Sequence, residues 1–217
     1  MRPVVASVGP LAAASATNIR TADGVAAPGP VTLDGSLVVD GVAILDQPRR
    51  VLFTTTADET ANTATITGTN WSGQSISETV TLPDTATVAT VLDYATVAQV
   101  SVSAALDGDL SIGTNTVAGS PWVMMDSWAY GPISVQVAVS GTVNYDIEVT
   151  SQDPNDPFNP VNPSDVTFID CADTALVNKT ANAIGQLTAV PVYARINLNS
   201  GSGSCTATFI QPGVVPQ

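Results

Sequence analysis

The chain contains no histidine, and this absence excludes several kinds of chemistry. Its 217 residues include one lysine, Lys179, and five arginines against 19 acidic residues. Without histidine there is no Ser-His-Asp or Cys-His nucleophile and no imidazole ligand for a metal. Lys179 lies in the polar stretch VNKTAN, where a solvated lysine is far commoner than a Schiff-base lysine. The sequence therefore predicts a protein that is not an enzyme and that uses no cofactor and no catalytic metal.

Basic residues are also too few for two large classes of partner. The net charge is −13, and no stretch of the sequence forms a basic stripe. A phosphate backbone would repel such a chain, so we exclude direct nucleic-acid binding. The same argument disfavours anionic lipid surfaces, and no window of the sequence is typical of a transmembrane helix. A strongly acidic surface does keep crowded copies of a protein soluble.

Cysteine is scarce as well, with Cys171 and Cys205 the only two. A disulfide and two buried free thiols are both compatible with this count. Two cysteines without histidine cannot fill a tetrahedral zinc site. Aromatic residues make up only 5% of the chain, so its core must consist mainly of Val, Ile, Leu and Ala.

Alternation of apolar and polar residues is the strongest structural signal. The stretch ISVQVAVSGTVNYDIEVT, Ile133–Thr150, predicts two half-buried strands folded at Gly141. Val192–Gln211 repeats the pattern around SGSG, and residues 63–82 predict a Thr-rich hairpin, which the inward Glu78 places at a sheet edge. No long amphipathic helix is present. The predicted fold class is all-β, with a β-sandwich or jelly-roll-like architecture.

The phase of the Ile133–Thr150 pattern also predicts burial. One face should be core and contains Val135, Val137, Val143, Tyr145, Ile147 and Val149. The other face should point to solvent and contains Ser134, Gln136, Asn144, Asp146 and Glu148. Outward carboxylates on a regular strand keep a sheet soluble, so we do not assign Asp146 and Glu148 to a glycosidase-like pair.

Composition divides the chain into three predicted parts. Residues 1–35, rich in Ala, Gly and Pro, should be an extended N-terminal arm, followed by β domains over 36–118 and 119–217; one continuous sandwich is the alternative. The first residues superficially resemble a signal peptide, but Gly9 and Pro10 interrupt the apolar run, so we expect a retained arm. Such an arm has no core of its own. We therefore expect its apolar residues to lie at an interface with neighbouring subunits: Val4, Val5, Val8, Leu11 and Ile19.

Three tryptophans and one acidic loop are the remaining candidate sites. Trp71 lies in a predicted turn, where an exposed ring could anchor a partner or stack on a sugar. Trp122 and Trp128 lie in SPWVMMDSWAY, a composition found both in cores and at subunit interfaces. Residues 153–156 bring oxygen ligands together, but the spacing of an EF-hand is absent, and Asp-Pro steps are ordinary turn formers.

Several segments together resemble small β-rich virion proteins of tailed bacteriophages. They are ATITGTNWSGQSISETVTLP, YATVAQVSVS, LSIGTN, SPWVMMD and SVQVAVSGTVNYDIEVTSQDP, closing on VPVYARINLNSGSGSCTATFIQPG. The resemblance spans Arg50 to Gly213, and its most recognisable parts are TGT…G…SETV and YARINLNSGSGS. It implies a non-enzymatic structural protein, displayed in many symmetric copies as a head decoration, neck or tail component.

The resemblance also implies partners and a location. The partners would be further copies of the chain and other virion proteins, in a particle assembled in the host cytoplasm. That reducing compartment favours Cys171 and Cys205 as free, buried thiols. The alternative function is a carbohydrate- or host-receptor-binding β module that uses Trp71 and neighbouring loops.

Overall fold

The structure is a computed structural model that describes residues 3–126, 131–153, 155–156, 158 and 161–212. Over these residues 56% of the chain is β-strand and only 3% is helix, which confirms the predicted all-β class. The strands are β1 (Val4–Val8), β2 (Ser15–Gly24), β3 (Gly29–Pro30), β4 (Val38–Val39), β5 (Val42–Thr55), β6 (Thr63–Thr69), β7 (Ser75–Thr81), β8 (Thr87–Ala89), β9 (Tyr94–Val102), β10 (Asp109–Gly119), β11 (Val123–Met124), β12 (Ile133–Ser140), β13 (Val143–Thr150), β14 (Ile169–Asp170), β15 (Ala183–Leu187), β16 (Tyr193–Gly201) and β17 (Ser204–Ile210). Two short 3-10 turns lie at Pro163–Asp165 and Thr174–Leu176.

The strands form two compact units, whose boundary at Thr116/Val117 lies close to the predicted 118/119, whereas the N-terminal boundary differs from the predicted one. The central unit is Ala12–Thr116, and the terminal unit joins Met1–Leu11 to Val117–Gln217. The predicted arm, residues 1–35, is therefore divided between them. Its strand β1 belongs to the terminal unit and its strand β2 to the central unit.

Pairing of β1 corrects the expectation that the arm has no core of its own. β1 lies antiparallel to β17, from Val4 opposite Phe209 to Val8 opposite Cys205. Val8 is buried in the terminal core and Ile19 in the central core. The alternation VVASV gives β1 an inward stripe, and β17 supplies the neighbouring strand. Sequence inspection missed this because the two strands lie at opposite ends of the chain.

The terminal unit consists of two antiparallel sheets around one core. The first has the strand order β1-β17-β12-β15; in the second, β16 pairs with β13, β11 and the end of β10, and β14 pairs with β13. Inward side chains from both sheets, such as Phe209 and Ile196, share this core. The core face predicted for Ile133–Thr150 is confirmed: Val149 is half-buried and the other five residues are buried.

The two turns predicted as hairpin tips in this unit are corners between its sheets. β12 lies in the first sheet and β13 in the second, and the same holds for β17 and β16. The pairing therefore continues around both corners. On the side of the second sheet β13 pairs with β16, and on the side of the first sheet β12 pairs with β17. At the bend the Gly203 N–H donates to Thr142 O (2.9 Å), and a Cβ on Gly201 would collide with that same carbonyl. Glycine therefore lets the two bent strands touch.

The central unit contains the strand order β7-β6-β9-β5. The predicted Thr-rich hairpin is confirmed, with β6 and β7 in register from Thr63 opposite Thr81 to Thr69 opposite Ser75. β7 ends the order, as the inward Glu78 predicted. Alternate residues of β6 and β7 point into a mainly aliphatic core, and β9 contributes Val97, Val100 and Val102 to it across a register shift with β6.

Candidate functional site

The tip of the β6–β7 hairpin presents an exposed tryptophan. Trp71 is 41% exposed. Asn70 fixes the turn, because its side-chain oxygen accepts hydrogen bonds from the N–H groups of Ser72 and Gln74, both at 3.0 Å. Gly73 has a φ of +78°, a conformation that other residues rarely adopt. A well-defined turn therefore holds a large ring at the surface, where a partner or ligand can reach it.

The outward side of the same hairpin and of β9 is a surface of hydroxyl groups, which we call the hydroxyl face. It consists of Thr63, Thr65, Thr67, Thr69, Ser75, Ser77, Thr79, Thr81, Thr96, Gln99 and Ser101. All are exposed or half-buried, and none is acidic or basic. Neighbouring hydroxyls bond across the strands, as between Thr65 and Thr79 (3.0 Å) and between Thr69 and Thr96 (2.7 Å). In a chain of net charge −13, this face offers hydrogen bonds without charge.

A buried ion pair lies on β13 and β16 of the terminal unit. Glu148 stands directly opposite Arg195, and Nε of Arg195 donates to Oε2 of Glu148 at 2.6 Å. The Arg195 guanidinium lies 4.5 Å from the ring centroid of Trp122 and 4.7 Å from that of Phe168. Opposite charges paired across strands stabilise a sheet, and the two rings add cation–π attraction.

Glu148 corrects the sequence prediction, because it is buried and not exposed. Only 6% of its side chain is accessible, and the same holds for Arg195. The period-two phase was right, since Glu148 points away from the aliphatic core. The aromatic side chains of Trp122 and Phe168 pack on its partner Arg195 on this outer side of the sheet. The alternation of residues along one strand does not reveal that side chains from elsewhere in the chain cover its outward face.

Acidic side chains of the central unit bind backbone N–H groups of neighbouring loops. Glu59, only 1% exposed, accepts hydrogen bonds from the N–H groups of residues 107 and 108, at 2.7 and 2.9 Å. Glu78 does the same for residues 91 and 92, at 2.8 and 2.9 Å. Carboxylate acceptors form strong bonds to backbone donors. Glu78 therefore fixes a loop to strand β7, and Glu59 fixes the loop between β5 and β6 to a second loop, which are structural tasks.

Two further carboxylates, those of Asp173 and Asp34, also accept hydrogen bonds from backbone N–H groups, and their pKa values are lowered. Hydrogen bonds from the N–H groups of Ala175 and Gln186, both at 2.9 Å, hold the pKa of Asp173 below its ordinary value of 3.8. Hydrogen bonds from the N–H and hydroxyl groups of Thr21 likewise lower the pKa of Asp34. A lowered pKa keeps these carboxylates ionised, as a hydrogen-bond acceptor requires, whereas a general acid needs a raised one.

The predicted interface residues differ in their surroundings. Val5 is 56% exposed, whereas Val8 and Ile19 are buried within the chain and cannot reach a partner. Val4 and Leu11 are half-buried and pack against the terminal core. Trp122 is half-buried on Arg195, so its ring has a partner within its own chain. Trp128 lies outside the described residues. Val5 and Trp71 are therefore the predicted anchors that remain exposed.

The cysteines and the acidic loop show no reactive geometry. Cys171 and Cys205 are buried free thiols, and burial raises their pKa to about 11 and about 12. In the loop predicted over 153–156, Asp153 Oδ1 accepts hydrogen bonds from the N–H of Asn155 (2.7 Å) and the hydroxyl of Tyr193 (3.0 Å). Within the described residues, no group of three or more His, Cys, Asp or Glu is placed to hold a metal ion.

Comparison with known proteins gives no relative from which a role could be transferred. No family model matches the chain, and no curated protein or solved structure matches it significantly. The part of the chain that the structure describes contains no helix long and apolar enough to cross a membrane. The chemistry of its own side chains is therefore the basis for inferring its role.

Proposed function

We propose that this chain is a non-enzymatic structural component of a tailed-bacteriophage virion, present in many symmetric copies on the capsid exterior or at the neck or tail. The observation that carries the proposal is the use of its ionisable side chains. Glu59 and Glu78 bind loop backbone, Asp173 ties its own loop to strand β15, and Glu148 pairs with Arg195. These groups hold the shape of the two units.

The surface chemistry agrees with display in many copies. A net charge of −13 disfavours non-specific association, and the hydroxyl face presents hydrogen-bonding groups without charge. Specific contacts between copies can then form on uncharged surfaces, where no like charges have to approach. The resemblance of Arg50–Gly213 to β-rich virion proteins supports the same role.

The test is to locate the chain in particles. Antibodies raised against the purified protein should label tailed virions released by the host that carries the gene, at regular positions on head, neck or tail. Quantitative mass spectrometry of gradient-purified particles should give a constant number of copies per particle, well above one. A chain found in the soluble fraction of the lysate but absent from purified particles would refute the proposal.

A second candidate function rests on Trp71. An exposed indole at a well-defined hairpin tip can stack on a sugar ring, and the nearby strands supply uncharged hydrogen-bonding groups. This arrangement supports a carbohydrate- or host-receptor-binding module. Binding to purified host surface polysaccharide should then be lost in Trp71→Ala. It should persist in Val39→Ala, which removes an apolar side chain of similar exposure elsewhere in the same unit.

A further inference from the structure

We propose that β1 is the contact between two copies of this chain, which pair edge to edge and antiparallel about a two-fold axis at Ala6. The pairing rests on the proposed function only in naming a second copy as the partner. β1 pairs with β17 on one side and is the end of its four-stranded sheet. No strand of the described residues pairs with its other edge, which therefore offers backbone N–H and C=O groups to a further strand.

The other edge strands carry features that discourage such pairing. In β15, Asp173 Oδ2 accepts the Gln186 N–H, and the loop packs so closely that a Cβ on Gly185 would lie 2.6 Å from Asp173. β7 has the inward charge of Glu78, and β3, β4, β8, β11 and β14 are only two or three residues long. β2 contains Arg20 and irregular register. Charges, short length, bulges and covering loops are the usual protections of a sheet edge.

In the part of the chain that the structure describes, β1 has none of these protections. Its sequence VVASV contains no charge and no proline, and its register with β17 runs without a bulge. Neither β17, β12 nor β15 adds an acidic or basic residue to the sheet. Two copies of a −13 chain repel each other over most of their surface, but here they can meet without bringing like charges together.

The pattern of β1 also fits pairing with itself. An antiparallel register centred on Ala6 sets Val5 opposite Ser7 of the partner and Val4 opposite Val8 of the partner. Outward residues then meet outward residues, and inward residues meet inward residues, because the register keeps the period-two phase. A two-fold contact of this kind is closed, so it gives a dimer with an eight-stranded sheet.

Sedimentation velocity of the purified full chain tests the pairing. The wild-type chain should show a concentration-dependent monomer–dimer equilibrium. In the variant V5K/S7K, the lysine at position 5 of each copy lies opposite the lysine at position 7 of the other. Repulsion in these two pairs should raise the dimer dissociation constant roughly tenfold or more. The control Q136K/A138K adds the same charge to the exposed side of the central strand β12 and should leave the dimer intact.

A cysteine mixing experiment tests the register. A Val5→Cys chain mixed with a Ser7→Cys chain should form a disulfide-linked dimer under mild oxidation. Val5→Cys alone should not, because its two copies would be diagonal neighbours, about 7–8 Å apart and beyond the reach of a disulfide. The buried native thiols, Cys171 and Cys205, do not compete, since their pKa values are raised.

Three outcomes would overturn the inference: a wild-type chain that stays monomeric at all concentrations, equal dissociation by the Q136K/A138K control, or crosslinking of Val5→Cys alone as efficient as that of the mixture. Particle labelling remains a separate measurement. A chain that is monomeric in solution but present in virions would refute the edge pairing and leave the proposed function intact. A chain that dimerises in solution but is absent from particles would leave the edge pairing intact and refute the proposed function.

Discussion

Removing the charge of Glu148 tests whether the buried ion pair holds the terminal unit together. In Glu148→Gln, the guanidinium of Arg195 stays packed against Trp122 and Phe168 but loses its carboxylate at 2.6 Å. Breaking a buried pair by removing one partner costs about 3–5 kcal/mol. Because both aromatic rings still contact the cation, we expect the lower end, about 3 kcal/mol. That is a large fraction of the stability of a typical domain.

The measurement is urea unfolding followed by tryptophan fluorescence in a Trp71→Phe background. A further Trp128→Phe change leaves Trp122 as the single tryptophan, and the signal then reports the terminal unit, to which Trp122 belongs. Asp165→Asn is the matched control, because it makes the same chemical change at an exposed site of the same unit and should stay within about 0.5 kcal/mol.

A double variant separates a lost pair from general damage. E148L/R195M removes both charges together, and such apolar replacements of buried pairs are often neutral. We therefore expect the double variant to be more stable than E148Q, with methionine packing against the same rings. A loss below about 1 kcal/mol in E148Q, or a double variant that sums the two single losses, would refute the reasoning.

Further predictions concern the core, the thiols and pH. Val137→Asp should unfold the terminal unit, because Val137 is 1% exposed and an unpaired charge would enter the core. The control Gln136→Asp, on the opposite face, should leave the melting temperature within a few degrees. An unchanged melting temperature for Val137→Asp would show that the strand phase is wrong. Cys171 and Cys205 should resist alkylation in the native state and react fully in urea, as mass spectrometry can show; rapid native labelling would contradict their burial. The lowered pKa of Asp173 contributes stability that is present above pH 3.8 and is lost as pH falls through the pKa of the folded state. Asp173→Asn should therefore flatten the curve of stability against pH below about pH 4. An unchanged curve would contradict a lowered pKa at Asp173.

Strand phase could be read from the sequence, whereas strand partners could not. The period-two pattern places Val135 and Tyr145 in the core because a side chain's side of the sheet depends only on its own strand. It predicted a hairpin at Gly141, but β12 and β13 belong to different sheets. Glycine is as necessary where two bent strands touch as at a hairpin tip, so SGSG fits both structures.

The candidate site was partly visible for a similar reason. Trp71 was found because a tryptophan in a turn has little core to enter. The pair Glu148 and Arg195 left a weaker signal, an acid and a base each on the outward phase of a regular strand. Recognising it requires the register that sets β13 beside β16. The sequence leaves Trp122 open between a core and an interface role, because its intrachain partner, Arg195, lies far away in the sequence.

The distance between β1 and β17 along the chain has a consequence during synthesis. Val4 pairs with Phe209, so β1 leaves the ribosome long before its neighbour in the sheet, β17, exists. The central unit, Ala12–Thr116, can fold in that interval, because all of its residues have already been made. At about 5–20 residues per second, the later strands of the terminal unit take roughly 5–20 s to appear. Throughout that time the apolar stripe of β1 is uncovered, and a β17 from another nascent copy on the same messenger could take the place of its own.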